Sequence, residues 1–208
     1  MTDARELTFG VAFRFPLATP EARRDLVIGA LLLFLLLIGW ILNLGNRLNV
    51  VARLHRDDPP YFRGFRPWTQ TFARGCVSAC AISAYLFPAA ASFALAYVAW
   101  QAGSPTLSFG LTAAGTGAFV LAVFTLPGCM TVYAVERDPA VLRHPILAFR
   151  RAWDRRAAYL HAWAIGLTAI LLSFLGLLLA GIGFFFTSVW AWTVVGYAFT
   201  IAMYTEER

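Results

Sequence analysis

Charge is scarce in this sequence. Only 13% of its 208 residues are Asp, Glu, Lys or Arg, against about 25% in soluble domains, so much of the surface must face something other than water. Lysine is missing altogether: all 17 basic residues are arginine, a bias that fits a GC-rich coding sequence better than a mechanism. Cysteine is nearly absent. Three residues make no disulfide framework, and Cys76 and Cys80, four apart on one helical face, have no His, Asp or Glu in the neighbouring turns. Structural zinc takes four ligands, so the pair reads as small packing residues, and neither metal nor cofactor is expected. The signatures of soluble enzymes are missing as well: no H-E-x-x-H, P-loop, G-x-G-x-x-G or G-x-S-x-G occurs. No cleavable signal peptide is expected, because the first 25 residues are polar and of mixed charge and no A-x-A-like site follows the first apolar run.

What is present is apolar. The chain is 60% hydrophobic with a mean hydropathy of +0.66, and three stretches carry no charge: Leu26 to Asn46, Gly75 to Val135, and Ala157 to Thr205 with His161 neutral. A spanning helix needs about 20 residues, so the first stretch holds one span and the others two each. The second divides at the turn-like Gln101-Ala102-Gly103-Ser104-Pro105 and the third at Gly181-Ile182-Gly183. Spans are therefore predicted at Leu26–Leu44, Val77–Trp100, Phe109–Val132, Tyr159–Ala180 and Phe184–Met203. The fold class is an all-α polytopic transmembrane helix bundle of about five spans, a single membrane domain over residues 1–208. A single first span puts the N-terminal tail opposite the rest despite its four Arg. The alternative, entry and return on one side, has only the residues from Leu26 to Leu54 to use, short for two full spans. The single span is the reading adopted.

Two Arg-rich linkers separate the spans, from about Gly45 to Arg74 and from about Glu136 to Arg156, each with six Arg. The positive-inside rule places both, and the C-terminus, in the cytoplasm; a bacterial inner membrane is the expected location. Neither linker reads as floppy. Leu44, Leu48, Val51 and Leu54 share one helical face, with Asn46, Asn49, Arg53 and Arg56 on the other. Phe65, Trp68 and Phe72 recur at helical spacing beside Arg66 and Arg74. In the second linker Pro145 can open a helix on which Phe149, Trp153 and Ala157 align, away from Arg150, Asp154 and Arg155. Arg with aromatics on an amphipathic helix is the composition of an interfacial segment. The candidate contact residues for lipid or a partner are Arg53, Arg56, Arg66, Trp68, Arg74, Arg150, Arg151, Trp153, Arg155 and Arg156. Arg56-Asp57-Asp58-Pro59 is echoed by Arg137-Asp138-Pro139, and Phe65-Arg66…Trp68 by Phe149-Arg150…Trp153. A degenerate tandem repeat, residues 26–100 and 109–180 plus a final span 184–203, and a shared drift in linker composition both account for this.

All eleven acids lie outside the predicted spans, whereas proton-coupled transporters commonly keep one at depth. His161, near a helix end, reads as interfacial beside Trp163. Asp57, Asp58, Glu136, Asp138, His55 and His144 are the set from which a surface active site could be built, and their positions suit turns and ion pairs better. Ser and Thr within the spans read as helix-bonding groups. Ala114 and Ala118, beside Gly115 and Gly117, form a small-x-x-x-small pair for close helix approach, and Pro88 and Pro127 are candidate kinks.

Gly45-Asn46-Arg47-Leu48, the Arg-Asp-Asp-Pro linker, Trp68-Thr69-Gln70-Thr71-Phe72, Gly181-Ile182-Gly183 and Gly196-Tyr197-Ala198 together resemble a family of prokaryotic multi-pass membrane proteins of uncharacterised function, over most of residues 26 to 203. The resemblance implies topology without activity. The expected function is a non-enzymatic integral membrane protein, an accessory or scaffold subunit that contacts anionic lipid, a protein partner or a second copy of itself, and no nucleic acid. A small transporter or lipid-handling protein is the alternative, which a polar cavity at membrane depth would favour. A cleft gathering Asp57, Asp138 and a linker His would favour a membrane enzyme instead.

Overall fold

The computed structural model describes residues 7–143, 145–179 and 181–204. His144 and Ala180, both named above, lie outside the described residues. Among those described there is no strand. The α-helices are α1 (Phe9–Arg14), α2 (Pro20–Leu33), α3 (Leu37–Arg56), α4 (Trp68–Gln101), α5 (Pro105–Glu136), α6 (Pro145–Asp154), α7 (Arg156–Ser173) and α8 (Ile182–Tyr204), with 3-10 turns at Phe15–Leu17, Pro139–Arg143 and Phe174–Leu178. Local chemistry sets the ends. Thr19 caps α2 by accepting from the Ala22 amide at 3.2 Å with Pro20 in the first turn, as a hydroxyl N-cap and a Pro at N1 do. Asp57 and Arg137 end α3 and α5 in left-handed conformations.

Four helices are long and apolar enough to cross a membrane: α4, α5, α7 with its 3-10 extension to Leu178, and α8. They fall on four of the five predicted spans. The first predicted span does not form one helix. Its apolar run breaks at Phe34–Leu36, where Leu36 has φ +48°, and α2 and α3 fold back on each other as a hairpin. The reason is the small and polar residues inside the run. A Cβ at Gly39 would overlap the Leu32 carbonyl oxygen, and Asn43 Nδ2 donates to the Gly29 carbonyl at 2.9 Å as well as to its own helix at Gly39. These pairs align only when the helices run antiparallel. The chain thus doubles back within its first apolar run, as a returning segment would and a single span would not, and α1 lies at the linker end, where Phe13 meets Trp190 edge to face with centroids 5.2 Å apart.

The molecule is three antiparallel hairpins: α2–α3, α4–α5 and α7–α8. α3 joins the first two. A Cβ on Gly45 would overlap the Thr71 carbonyl oxygen, and one on Gly75 that of Ile41, so α3 and α4 touch backbone to backbone. In α4–α5 the buried positions toward the turn are small, Ala89, Ala96 and Ala99 on α4 and Gly115 and Ala122 on α5, and a Cβ on Gly115 would press on Ser92 and Phe93. Ala114 and Gly117 of the predicted small cluster are exposed instead, and Gly115 makes the contact. Pro88 and Pro127 lie inside continuous helices. The densest core gathers at the linker end, where Leu48, Val51, Tyr159, Tyr197 and Phe199 are buried. Toward the opposite end large apolar side chains are exposed on every hairpin.

Candidate functional site

Between the α2–α3 hairpin and α8 lies a cavity of about 280 Å³. Its lining changes character along its length. Leu33, Trp40, Phe184 and Phe185 line one end; Asp25, Asn43, Asn46 and Arg47 the other, with Ser188, Trp192 and Thr193 from α8 between them. The hairpin register explains this polarity, because α3 turns Trp40, Asn43, Arg47 and Val50 to one face at spacings of three and four and so points an apolar-to-polar gradient into one groove.

Arg47 is the feature that ordinary packing does not explain. Its stem lies over Gly196, where a Cβ would come within 3.2 Å of Arg47 Cγ, and its guanidinium carbon sits 5.2 Å from the Trp192 ring centroid. One terminal nitrogen is buried with no hydrogen-bond partner, and so is Asn46 Oδ1. A buried unpaired guanidinium is costly, and a cation–π contact offsets about 0.5–2 kcal/mol. Burial lowers Arg47 to about 10, which leaves it a cation at neutral pH. Asp25, 3% exposed, is held by the Gly64 amide at 2.9 Å, with Arg24 at 3.7 Å. Burial raises its carboxyl, and the Gly64 hydrogen bond opposes that.

The residues singled out from the sequence are distributed differently. Residues 45–56 are not a separate interfacial helix: they continue α3 into the core, and Asn46 and Asn49, expected on a solvated face, are buried. Asn49 is tied down because α4 packs so closely, donating to Thr71 Oγ1 at 3.1 Å and accepting from Arg74. Arg53 donates to the Tyr61 carbonyl at 3.2 Å. Phe65 is buried and stacks on exposed Trp68 at 5.6 Å; Arg56 and Arg66 are exposed. Arg56 and Arg74 are each near enough to Arg137 to act on it electrostatically, and Arg74 and Arg137 line a second cavity of about 150 Å³ with Tyr133. In the second linker α6 does form. Ile146, Phe149 and Trp153 are exposed along one stripe, Arg150 and Arg156 are exposed, and Arg155 sits at the joint with α7. Arg151 pairs with Glu136 at 2.9 Å and with the Tyr204 hydroxyl at 3.0 Å. The candidate acids act as turn and pairing groups: Asp57 accepts from the Tyr61 hydroxyl at 3.0 Å, Asp58 pairs with Arg63 at 2.5 Å, and Asp138 accepts from the Ala140 amide at 2.8 Å. Among the described residues no group of His, Cys, Asp and Glu could hold a metal ion.

The sequence reading missed the Arg47 cavity because Arg47 was counted with the linker charges. The signal was Asn43 and Arg47, one turn apart on an otherwise apolar helix. The chain matches no protein-family model, no curated protein and no solved structure.

Proposed function

We propose that this chain is a lipid-handling membrane protein that holds a phosphate-bearing amphiphile between the α2–α3 hairpin and α8, by binding rather than catalysis. The observation that carries this is the Arg47 guanidinium, with one buried terminal nitrogen lacking a partner, at the polar end of a cavity whose other end is Leu33, Trp40, Phe184 and Phe185. A guanidinium presents paired donors to phosphate oxygens and stays charged, and the aromatic and leucine end suits an acyl chain. This cavity favours lipid handling over a plain accessory or scaffold role. The positive-inside rule puts the linker end in the cytoplasm, here that of a bacterial inner membrane. α6 is the interfacial helix, with Ile146, Phe149 and Trp153 toward the acyl region and Arg150 toward headgroups. Arg56, Arg66, Arg74, Arg150 and Arg156 attract anionic lipid at about 1 kcal/mol each.

Native mass spectrometry of protein purified in a mild non-ionic detergent tests the reading, with dioleoylphosphatidylglycerol and dioleoylglycerol as probes and inorganic phosphate as the headgroup-only comparison. Wild type is expected to retain one phosphatidylglycerol against dioleoylglycerol, and Arg47→Met to lose it while Arg150→Gln keeps it. Equal retention of both lipids, or unchanged retention in Arg47→Met, contradicts the pocket. Protection by phosphate alone makes it a soluble-anion site.

A further inference from the structure

We propose that only α4–α5 crosses the bilayer, and that α2–α3 and α7–α8 are hairpins inserted from the linker side whose tips end within the hydrocarbon. The partner of both tips is lipid acyl chain. The first observation is length. Leu48 and Val51 of α3, Met130 and Thr131 of α5, and Val195 and Gly196 of α8 surround one small cavity, so these residues share a level. From there α5 runs about 25 residues down to Pro105, α8 about 14 down to Ile182 and α3 about 11 down to Leu37. At a rise of 1.5 Å per residue these are ~37, ~21 and ~16 Å. The two outer tips meet, with Phe34 and Phe185 rings 4.5 Å apart, and both stop ~16–21 Å short of the α4–α5 end. If that end marks the far surface of a ~30 Å hydrocarbon layer, the near boundary falls ~7 Å below the shared level and the tips stop near or above the midplane. Arg47 then lies at headgroup height, with Trp192 at the boundary, where amphipathic rings gather.

The second observation is the chemistry of the three turns. The α4–α5 turn is Gln101-Ala102-Gly103-Ser104, suited to water. The α7–α8 turn has no polar side chain from Phe174 to Phe186, and Leu178 is 82% exposed; the α2–α3 turn has none from Leu26 to Trp40, and Leu36 is 77% exposed. The third is backbone accounting, since hydrocarbon offers no partners to free amides. The amides of Phe34, Leu35 and Leu36 donate to Leu31, Leu32 and Leu33, and those of Leu179, Gly181 and Phe184 to Gly176, Leu177 and Gly181. These turn amides are bonded within the chain, which suits the turns to hydrocarbon.

Site-directed spin labelling tests this on the full chain in lipid nanodiscs, with Cys76, Cys80 and Cys129 replaced by Ala and single cysteines at Leu35→Cys, Leu178→Cys and Ser104→Cys. Labels at 35 and 178 are expected to collide with oxygen several-fold more than with a water-soluble nickel chelate, and the label at 104 to show the reverse. A label at 178 as accessible to the chelate as that at 104 overturns the α7–α8 assignment, and the same result at 35 overturns that for α2–α3. Should a tip cysteine prevent folding, Phe174→Cys and Ile182→Cys report the same depth from flanking positions, with the same two outcomes. Binding at Arg47 is measured separately, so either result leaves that reading to its own test.

Discussion

Replacing Arg47 with Met separates a residue kept for folding from one kept for a ligand. In the unliganded protein the guanidinium has a buried nitrogen without a partner and gains only the contact with Trp192. Exchanging a buried charge for an apolar side chain of similar volume is commonly neutral or stabilising by ~1–4 kcal/mol, and the lost cation–π contact returns ~0.5–2 kcal/mol of that. At the midpoints of these ranges the net is a gain of about 1–2 kcal/mol. At roughly 2–4 °C per kcal/mol for a chain of this size, Arg47→Met in lipid-free detergent should melt about 2–8 °C above wild type. Adding phosphatidylglycerol at one hundred times its dissociation constant stabilises wild type by ~2.7 kcal/mol, about 5–11 °C, and should leave the variant nearly unmoved. The two melting curves therefore change order when lipid is added. Thermal unfolding followed by intrinsic fluorescence reads both quantities on one preparation. A variant that melts below wild type without lipid, yet gains the same increment with it, refutes the reasoning and makes Arg47 a structural residue.

Other consequences are independent of lipid. Gly45→Ala puts a Cβ into the Thr71 carbonyl oxygen, which only separation of α3 from α4 can relieve; a loss of about 1–3 kcal/mol or more is expected, against little change for Gly117→Ala, where the space is open. Asp25 titrates above its ordinary value because of burial. Its ionisation therefore works against the fold, and stability falls as pH rises from about 4 toward the raised value. Asp25→Asn keeps an acceptor for the Gly64 amide and removes that slope, so the melting temperature of the variant relative to wild type should rise between pH 4 and pH 6. A flat difference contradicts the assignment. Neutralising Arg150 and Arg156 to Gln should leave stability within ~0.5 kcal/mol of wild type, while sedimentation with phosphatidylglycerol vesicles weakens, and weakens less in high salt.

Four of the five predicted segments are legible as long apolar helices because absence of charge over about 20 residues is a strong signal and Gln101–Pro105 and Gly181–Gly183 mark real turns. The α2–α3 hairpin was not. Its turn is Phe34-Leu35-Leu36, three residues with none of the usual turn chemistry, and a hydropathy count cannot tell a leucine that continues a helix from one that ends it. The informative residues were Gly29, Gly39 and Asn43, which permit and fasten the fold-back. The linker faces were half legible. Leu44, Leu48, Val51 and Leu54 are buried as their spacing indicates, but Asn46 and Asn49 are buried as well, because α3 is covered on several sides and a two-faced pattern presumes one. The Arg47 site depends on α8 meeting α3, a contact between segments far apart in the chain that periodicity within either helix does not encode.

Photocrosslinking tests lipid occupancy of the α2–α3/α8 cavity most directly. A phosphatidylglycerol carrying a diazirine in one acyl chain, irradiated with the protein in nanodiscs and mapped by peptide mass spectrometry, should attach to the α3 peptide containing Trp40 and the α8 peptide containing Phe184–Ser188. Arg47→Met should sharply reduce both adducts while labelling of the exposed α4–α5 surface and of the hairpin tips at Leu35 and Leu178 persists. Adducts confined to α4–α5 in wild type, or cavity adducts undiminished in Arg47→Met, would contradict a lipid held by Arg47.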